Sequence, residues 1–205
     1  MEKFITGYCQ LQNGKLILNS KNLFEADIPV DEFLNKIVAE FEVKHPRFGK
    51  LDRLSKLGYT CAEILLQSLG NFKKYQPYEV NLVFANSSSS LDTDFRFQKT
   101  IETIASPALF VYTLPNIMLA EICIKNGFKG ENLFLVSDFP EGNLFYEPIN
   151  QMFAQQSTKA CLAGWVEIFG EIYTCTLFAI ESTDNKSDHQ IEFNITNINK
   201  LFEKF

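Results

Sequence analysis

The strongest constraint on this chain is an alternation. Short apolar runs suited to strands are separated by segments whose apolar residues recur every three or four positions. Phe4 to Leu18 reads as two strands around Asn13-Gly14, a strong hairpin signal. Asp31 to Val43 reads as a helix capped at Asp31, with Phe33, Leu34, Ile37, Val38 and Phe41 on one face. Leu51 to Leu69 repeats that period through Leu54, Leu57, Cys61, Ile64 and Leu65 and ends at Gly70. Glu79 to Ala85 and Asn132 to Val136 read as buried strands, with helices over Asp92 to Ile104, Thr113 to Asn126 and Gly142 to Gln156. Ala160 to Glu167 and Ile172 to Glu181 read as consecutive strands, Thr183 to Gln190 as a polar loop, and Phe193 to Phe205 as a final helix. Strands alternating with helices predict an α/β fold with a mixed, mostly parallel sheet and helices on both faces.

Charge and composition narrow the function. Nineteen basic against twenty-five acidic residues leave a net charge of −6, which argues against a nucleic-acid binder that needs a basic face. Twenty Phe among the aromatics supply much apolar area to bury, in a core or against a partner. The start, Met1-Glu2-Lys3-Phe4, has no apolar signal region, and Pro107 to Ala120 is too short and too polar to span a bilayer. A cytoplasmic chain with no membrane span is therefore expected. Cys9, Cys61, Cys123, Cys161 and Cys175 are odd in number and widely spaced, so they read as reduced, buried hydrophobes rather than disulfides or metal ligands.

Catalytic motifs are absent: there is no G-x-S-x-G, H-E-x-x-H or G-x-G-x-x-G. The two histidines, His45 before Pro46 and His189 in the polar loop, both read as solvated. No cofactor and no metal site is expected. Ser87 to Ser90 follow a strand, where α/β proteins place binding loops, although a solvated turn has the same composition. Lys44, Arg47, Lys50, Arg53 and Lys56 against Asp52 make a local charge of +4 in an acidic chain. That run suits either an acidic partner or a solvated face.

Five stretches resemble, in order and spacing, the N-terminal half of β-ketoacyl-acyl-carrier-protein synthases of the thiolase-like superfamily. They are Lys50-Leu51-Asp52-Arg53-Leu54-Ser55-Lys56-Leu57; Ser106-Pro107 through Thr113-Leu114-Pro115-Asn116; Ile124 to Asn132 (IKNGFKGEN); Ala160 to Glu167 (ACLAGWVE); and Cys175 to Glu181. The resemblance implies half of a thiolase-like fold, with residues 1–205 as a single synthase N-terminal-like domain that lacks a catalytic second half. It also places the family's acylated cysteine, by gapless counting from Asn116, on Phe139 in the turn after Val136, expected to be a buried strand-to-helix turn. A phenyl ring has no nucleophilic atom, so no acyl-enzyme can form there.

The resemblance therefore implies no catalytic residue. It implies instead a non-catalytic subunit resembling the short chain-length factors of aryl polyene and flexirubin-type pathways. Such a subunit would pair with an active β-ketoacyl synthase, or with itself, in fatty-acid-like, polyene or polyketide synthesis. Leu109, Phe110, Met118 and Phe139 would then line an acyl tunnel or the partner interface. Arg47, Lys50 and Arg53 would dock an acyl carrier protein. Two other readings stay open at the sequence level: an acyltransferase with a relocated nucleophile such as Ser137 or Cys123, and a carrier-binding module without chemistry. The sheet face that a second half would have covered must be covered by the last helix, through Ile195, Ile198, Leu201, Phe202 and Phe205, or by a partner.

Overall fold

The computed structural model describes residues 2–155, 157–183 and 190–203. His189 and Phe205 lie outside the described residues. Strands β1 (Glu2–Gln12) and β2 (Lys15–Leu18) form the expected hairpin. Asn13 and Gly14 take φ of 51° and 71°, two successive left-handed residues whose twist matches that of the flanking strands. Strand β3 (Lys21–Glu25) follows, then helix α1 (Val30–Glu40). The cap of α1 is Pro29 rather than Asp31, and its first N–H, on Val30, is taken by the distant Glu171 carboxylate at 2.9 Å. Asp31 sits instead in the first turn, where a negative charge favours the helix dipole.

Helix α2 (Arg53–Ser68) has Asp52 as its cap, with Oδ1 accepting from Ser55 N–H at 3.1 Å. Strand β4 (Val80–Asn86) leads to α3 (Leu91–Ile101) and the short α4 (Pro107–Val111). The helix expected from Thr113 begins only at Ile117, as α5 (Ile117–Asn126), because Pro115 lacks an N–H and disfavours helical geometry at Leu114. Strand β5 (Asn132–Val136), α6 (Gly142–Ala154), β6 (Ala160–Phe169) and β7 (Ile172–Thr183) follow. A two-residue strand, β8 (Ile191–Glu192), and α7 (Ile195–Phe202) complete the described elements.

The strands form one mixed sheet in the order β3-β2-β1-β7-β6-β4-β5, with β8 against the start of β1. Helices cover both faces, as expected. The bias towards parallel pairing is corrected: only β4 with β5 and β4 with β6 are parallel, while β1–β2, β2–β3, β1–β7, β1–β8 and β6–β7 are antiparallel. The reason lies in the connections. Only Gly170 and Glu171 separate β6 from β7, and a link that short can return only as a hairpin. β5 is also not buried: it is an edge strand whose residues are half-buried or exposed.

Two cores flank the sheet. On one face Leu82, Phe84, Leu162, Val166 and Leu177 pack with Phe33, Leu34 and Ile37 of α1, with Leu57, Cys61 and Leu65 of α2, and with Met118 and Ile122 of α5. On the other, Val83, Ala85, Cys161, Ala163, Phe178 and Ile180 pack with Phe145 and Ile149 of α6 and Ile198 and Leu201 of α7. Neighbours in each strand thus go to opposite cores, as the period of two requires. The last helix covers the second face, as the first of the two sequence-level options required. Ile198 and Leu201 are fully or almost fully buried, a contribution of about 2 kcal/mol each. Asn194 caps α7 through Asn197 N–H at 2.9 Å, the Asn199 side chain accepts from Gly142 N–H at 2.6 Å, and Gln10 Nε2 donates to Leu201 O at 2.8 Å.

One glycine of the resembling ACLAGWVE stretch has a direct structural cause. Gly164 of β6 has φ of 148°, and a Cβ there would lie 2.0 Å from the Thr176 carbonyl oxygen on β7. Gly164→Ala should therefore lower unfolding stability by about 3 kcal/mol, read as a shift of the urea midpoint.

Candidate functional site

The candidate site lies where the parallel strands β4 and β5 end. Ser137 N–H, just after β5, donates to Asn86 O at the end of β4, at 3.0 Å. Asn86 then folds the serine loop back on itself: Ser89 N–H donates to its Oδ1 at 2.8 Å and its Nδ2 donates to Ser89 O at 2.7 Å. Ser90 Oγ donates to Thr113 O at 2.7 Å, which joins this loop to the connection between α4 and α5. A line of hydrogen bonds thus gathers the end of β5, the serine loop and the α4–α5 turn at one end of the sheet.

The serine loop does not present its donors to a ligand. Ser87 N–H and Oγ each donate to Glu167 Oε2 at 2.6 Å, Ser88 N–H donates at 3.3 Å, and Ser88 Oγ also bonds that carboxylate. The loop is closed around an internal anion on β6. Sequence reading missed Glu167 as its partner, since 80 residues separate Glu167 from Ser87 and only the β4–β6 pairing joins them.

Phe139 occupies the loop between β5 and α6 and precedes the first residue of that helix by three positions. The turn is not buried as expected: the Phe139 side chain is 57% exposed and that of Val136 is 61% exposed. No nucleophile replaces the ring. Ser137 Oγ donates to Phe139 O at 3.4 Å. Cys123 is buried on α5, and burial pushes its thiol up to about 11, with the Asn132 contact opposing. Burial likewise raises the thiols of Cys9, Cys61, Cys161 and Cys175. Cys9, Cys61 and Cys175, widely spaced in sequence, meet between α2, β1 and β7. Among the described residues no cluster of three or more His, Cys, Asp or Glu side chains could hold a metal ion.

The expected tunnel residues separate. Leu109 is half-buried and Phe110 is 59% exposed, with its ring 5.5 Å from that of Phe97. Met118 does not join them. It is fully buried between α5 and α2, where its sulfur rests against Gly58; a Cβ on that glycine would lie 2.0 Å away. Cavities of 290, 350, 400, 460 and 570 Å³ indent the surface, and Leu109, Phe110, Met118 and Phe139 line none of these.

The basic run divides in the same way. Arg53 is not free to dock a partner. Its guanidinium donates to Asp31 at 2.7 and 2.9 Å, to Gly170 O at 2.9 Å and to Glu171 at 3.2 Å. Burial alone would raise the Asp31 carboxyl, but Arg53 and Lys56 together hold it below its ordinary range. Arg47 and Lys50 are exposed and form no ion pair among the described residues. His45 is not solvated: its side chain is 5% exposed, and Nε2 lies 3.1 Å from Glu121 Oε2.

No protein-family model matches the sequence, and no curated protein is similar to it. Solved structures are similar in fold. The chain matches "the ishigamide ketosynthase/chain length factor" with a TM-score of 0.67 at 16% identity, over 91% of this chain and 64% of that one. It matches a chain of the ketosynthase ApeO in complex with its chain length factor ApeC from Xenorhabdus doucetiae with a TM-score of 0.57 at 10% identity, over 89% and 80%. It also matches a type II polyketide synthase acyl-carrier protein complex with its ketosynthase with a TM-score of 0.58 at 12% identity, over 88% and 62%. The chain thus spans less than two thirds of the first of these proteins. The chain thus shares an α/β fold with solved ketosynthase and chain-length-factor structures. No helix among the described residues is long and apolar enough to cross a membrane.

Two outcomes follow. Because an ion pair that lowers Asp31 contributes stability only while the carboxylate is charged, Asp31→Asn should cost about 0.5 kcal/mol near neutral pH, given its partial exposure. That difference should vanish as pH falls through the lowered range, read by urea unfolding across pH. Incubation with an acyl-carrier-protein thioester should leave the intact mass unchanged, because each thiol is buried with its pKa raised.

Proposed function

We propose that this chain is a non-catalytic ketosynthase-like subunit, of the chain-length-factor kind, that pairs with an active β-ketoacyl-acyl-carrier-protein synthase. The observation that carries this reading is where the apolar surface lies. Phe95 and Ile101 on α3, Ile104 between α3 and α4, Phe110 and Val111 on α4, Leu114 after it, Val136 at the end of β5 and Phe139 beyond it are large apolar side chains left exposed. α6 and α7 expose none, so the face that packs against a second half in a duplicated fold needs no further cover. An apolar surface of this kind marks an interaction site.

The two sheet edges support the same direction. β3 carries Lys21 and Glu25 at its ends, charges that discourage strand addition. β5 reads NLFLV, has no charge, and has β4 as its single sheet neighbour. Its outer edge offers backbone donors and acceptors to a partner strand, with Phe110 and Phe139 available to close a neighbouring acyl pocket. With no thiol at the end of β5 and the Ser137 hydroxyl turned to the Phe139 carbonyl, the contribution to condensation is shape and support. The product belongs to polyketide, polyene or fatty-acid-like chemistry.

A second reading rests on Arg47 and Lys50, exposed and unengaged in ion pairs in a chain of net charge −6. They suit docking of an acidic acyl carrier protein, and this role is compatible with the first.

Co-expression with a β-ketoacyl synthase from the same genome should yield a complex on size-exclusion chromatography. The double variant Phe110→Glu, Phe139→Glu should weaken that complex more than tenfold while leaving the thermal midpoint within a few degrees, since both rings are exposed. A chain that elutes as its own homodimer, with synthase products unchanged in its absence, would overturn the pairing.

A further inference from the structure

We propose that His45 is a positioning residue that fixes the loop presenting Arg47 and Lys50. The loop's geometry stands by itself, and its use in docking rests on the carrier-binding reading above. Both ring nitrogens are engaged. Arg47 N–H donates to Nδ1 at 3.1 Å, and Nε2 lies 3.1 Å from Glu121 Oε2 on α5. A nitrogen that accepts carries no proton, so the proton of the ring sits on Nε2 and points to Glu121.

The contacts continue to the second cation. The carbonyl of Arg47 accepts from Lys50 N–H at 2.9 Å, so the peptide units on both sides of Arg47 are held, and Lys50 is held through it. The other side of the ring meets α2: Tyr59 stands edge-on to it, with centroids 4.9 Å apart, and donates its hydroxyl to Lys44 O at 2.8 Å. Between α1 and α2 the chain has only the single 3₁₀ turn at Phe48–Lys50, so its shape depends on these side-chain anchors. A loop already ordered loses less entropy when a partner binds its cations, and this makes a buried histidine useful inside a basic run.

Two amide variants separate the two ring nitrogens. The carbonyl of His45→Asn falls where Nδ1 was and can accept from Arg47, but cannot reach Glu121. His45→Gln reaches Glu121 but leaves Arg47 N–H without an acceptor. Amide hydrogen exchange at Arg47 should be about tenfold faster in the Gln variant than in the wild type or the Asn variant. Affinity for purified holo acyl carrier protein at low salt should fall by a similar factor in the Gln variant alone.

Equal exchange at Arg47 in all three proteins would overturn the inference. So would unchanged carrier affinity in His45→Gln when Arg47→Glu abolishes binding. If Arg47→Glu also leaves carrier binding intact, the carrier reading is lost, while faster exchange in His45→Gln still supports the clamp.

Discussion

The structure depends on the second face of its sheet being closed from within. β4 is buried along its whole length, so both faces of the sheet centre must be shielded from water. α1, α2 and α5 cover one side. On the other, α6 and α7 meet closely enough that a Cβ on Gly142 would lie 2.6 Å from the Ile195 carbonyl oxygen. Phe145 touches both Phe178 of the sheet and Phe202 of α7, an aromatic cluster that ties the helix pair to the strands. With that layer closed, both faces of the sheet centre are covered. The chain's exposed apolar residues then demand a different explanation, which is why their position on α3, α4 and the end of β5 bears on function.

The same layer constrains chemistry. A helix N-terminus can lower the pKa of a thiol placed against it. Here Gly142 N–H of α6 is bound by Asn199 of α7, and Phe139 stands clear of the first turn. The donors of the serine loop are likewise consumed, by Glu167.

Much of the fold was legible in the sequence because its signals are local. Asn13-Gly14 makes the turn it predicts, the apolar period from Leu54 to Leu65 marks α2, and Gly127, directly after the expected end at Asn126, closes α5 in the left-handed conformation at φ of 73°. What could not be read is long-range. The apolar run Asn132 to Val136 looks the same whether a strand lies inside a sheet or at its edge, and only strand order makes β5 an edge. Arg53 looks like Arg47 in sequence, but Glu171, more than a hundred residues later, arrives on the β6–β7 turn to engage it and to cap α1 with its other oxygen. His45 sits among cations and before a proline, both surface signals, but its ring is buried because Glu121 and Tyr59 converge from two different helices.

Electrostatics follow from these pairings rather than from composition. In the stretch of net +4, Arg53 and Lys56 are paired with Asp31 and Glu171, so the positive charge left exposed is narrower than the sequence suggests and centres on Lys44, Arg47 and Lys50. A small positive patch on an acidic chain orients an acidic partner more than it strengthens the complex. Contact area would then come from apolar side chains such as those exposed on α3, α4 and around the end of β5. Under the proposed reading, a synthase would be held through apolar area and a carrier met through charge, and neither contact requires a catalytic group.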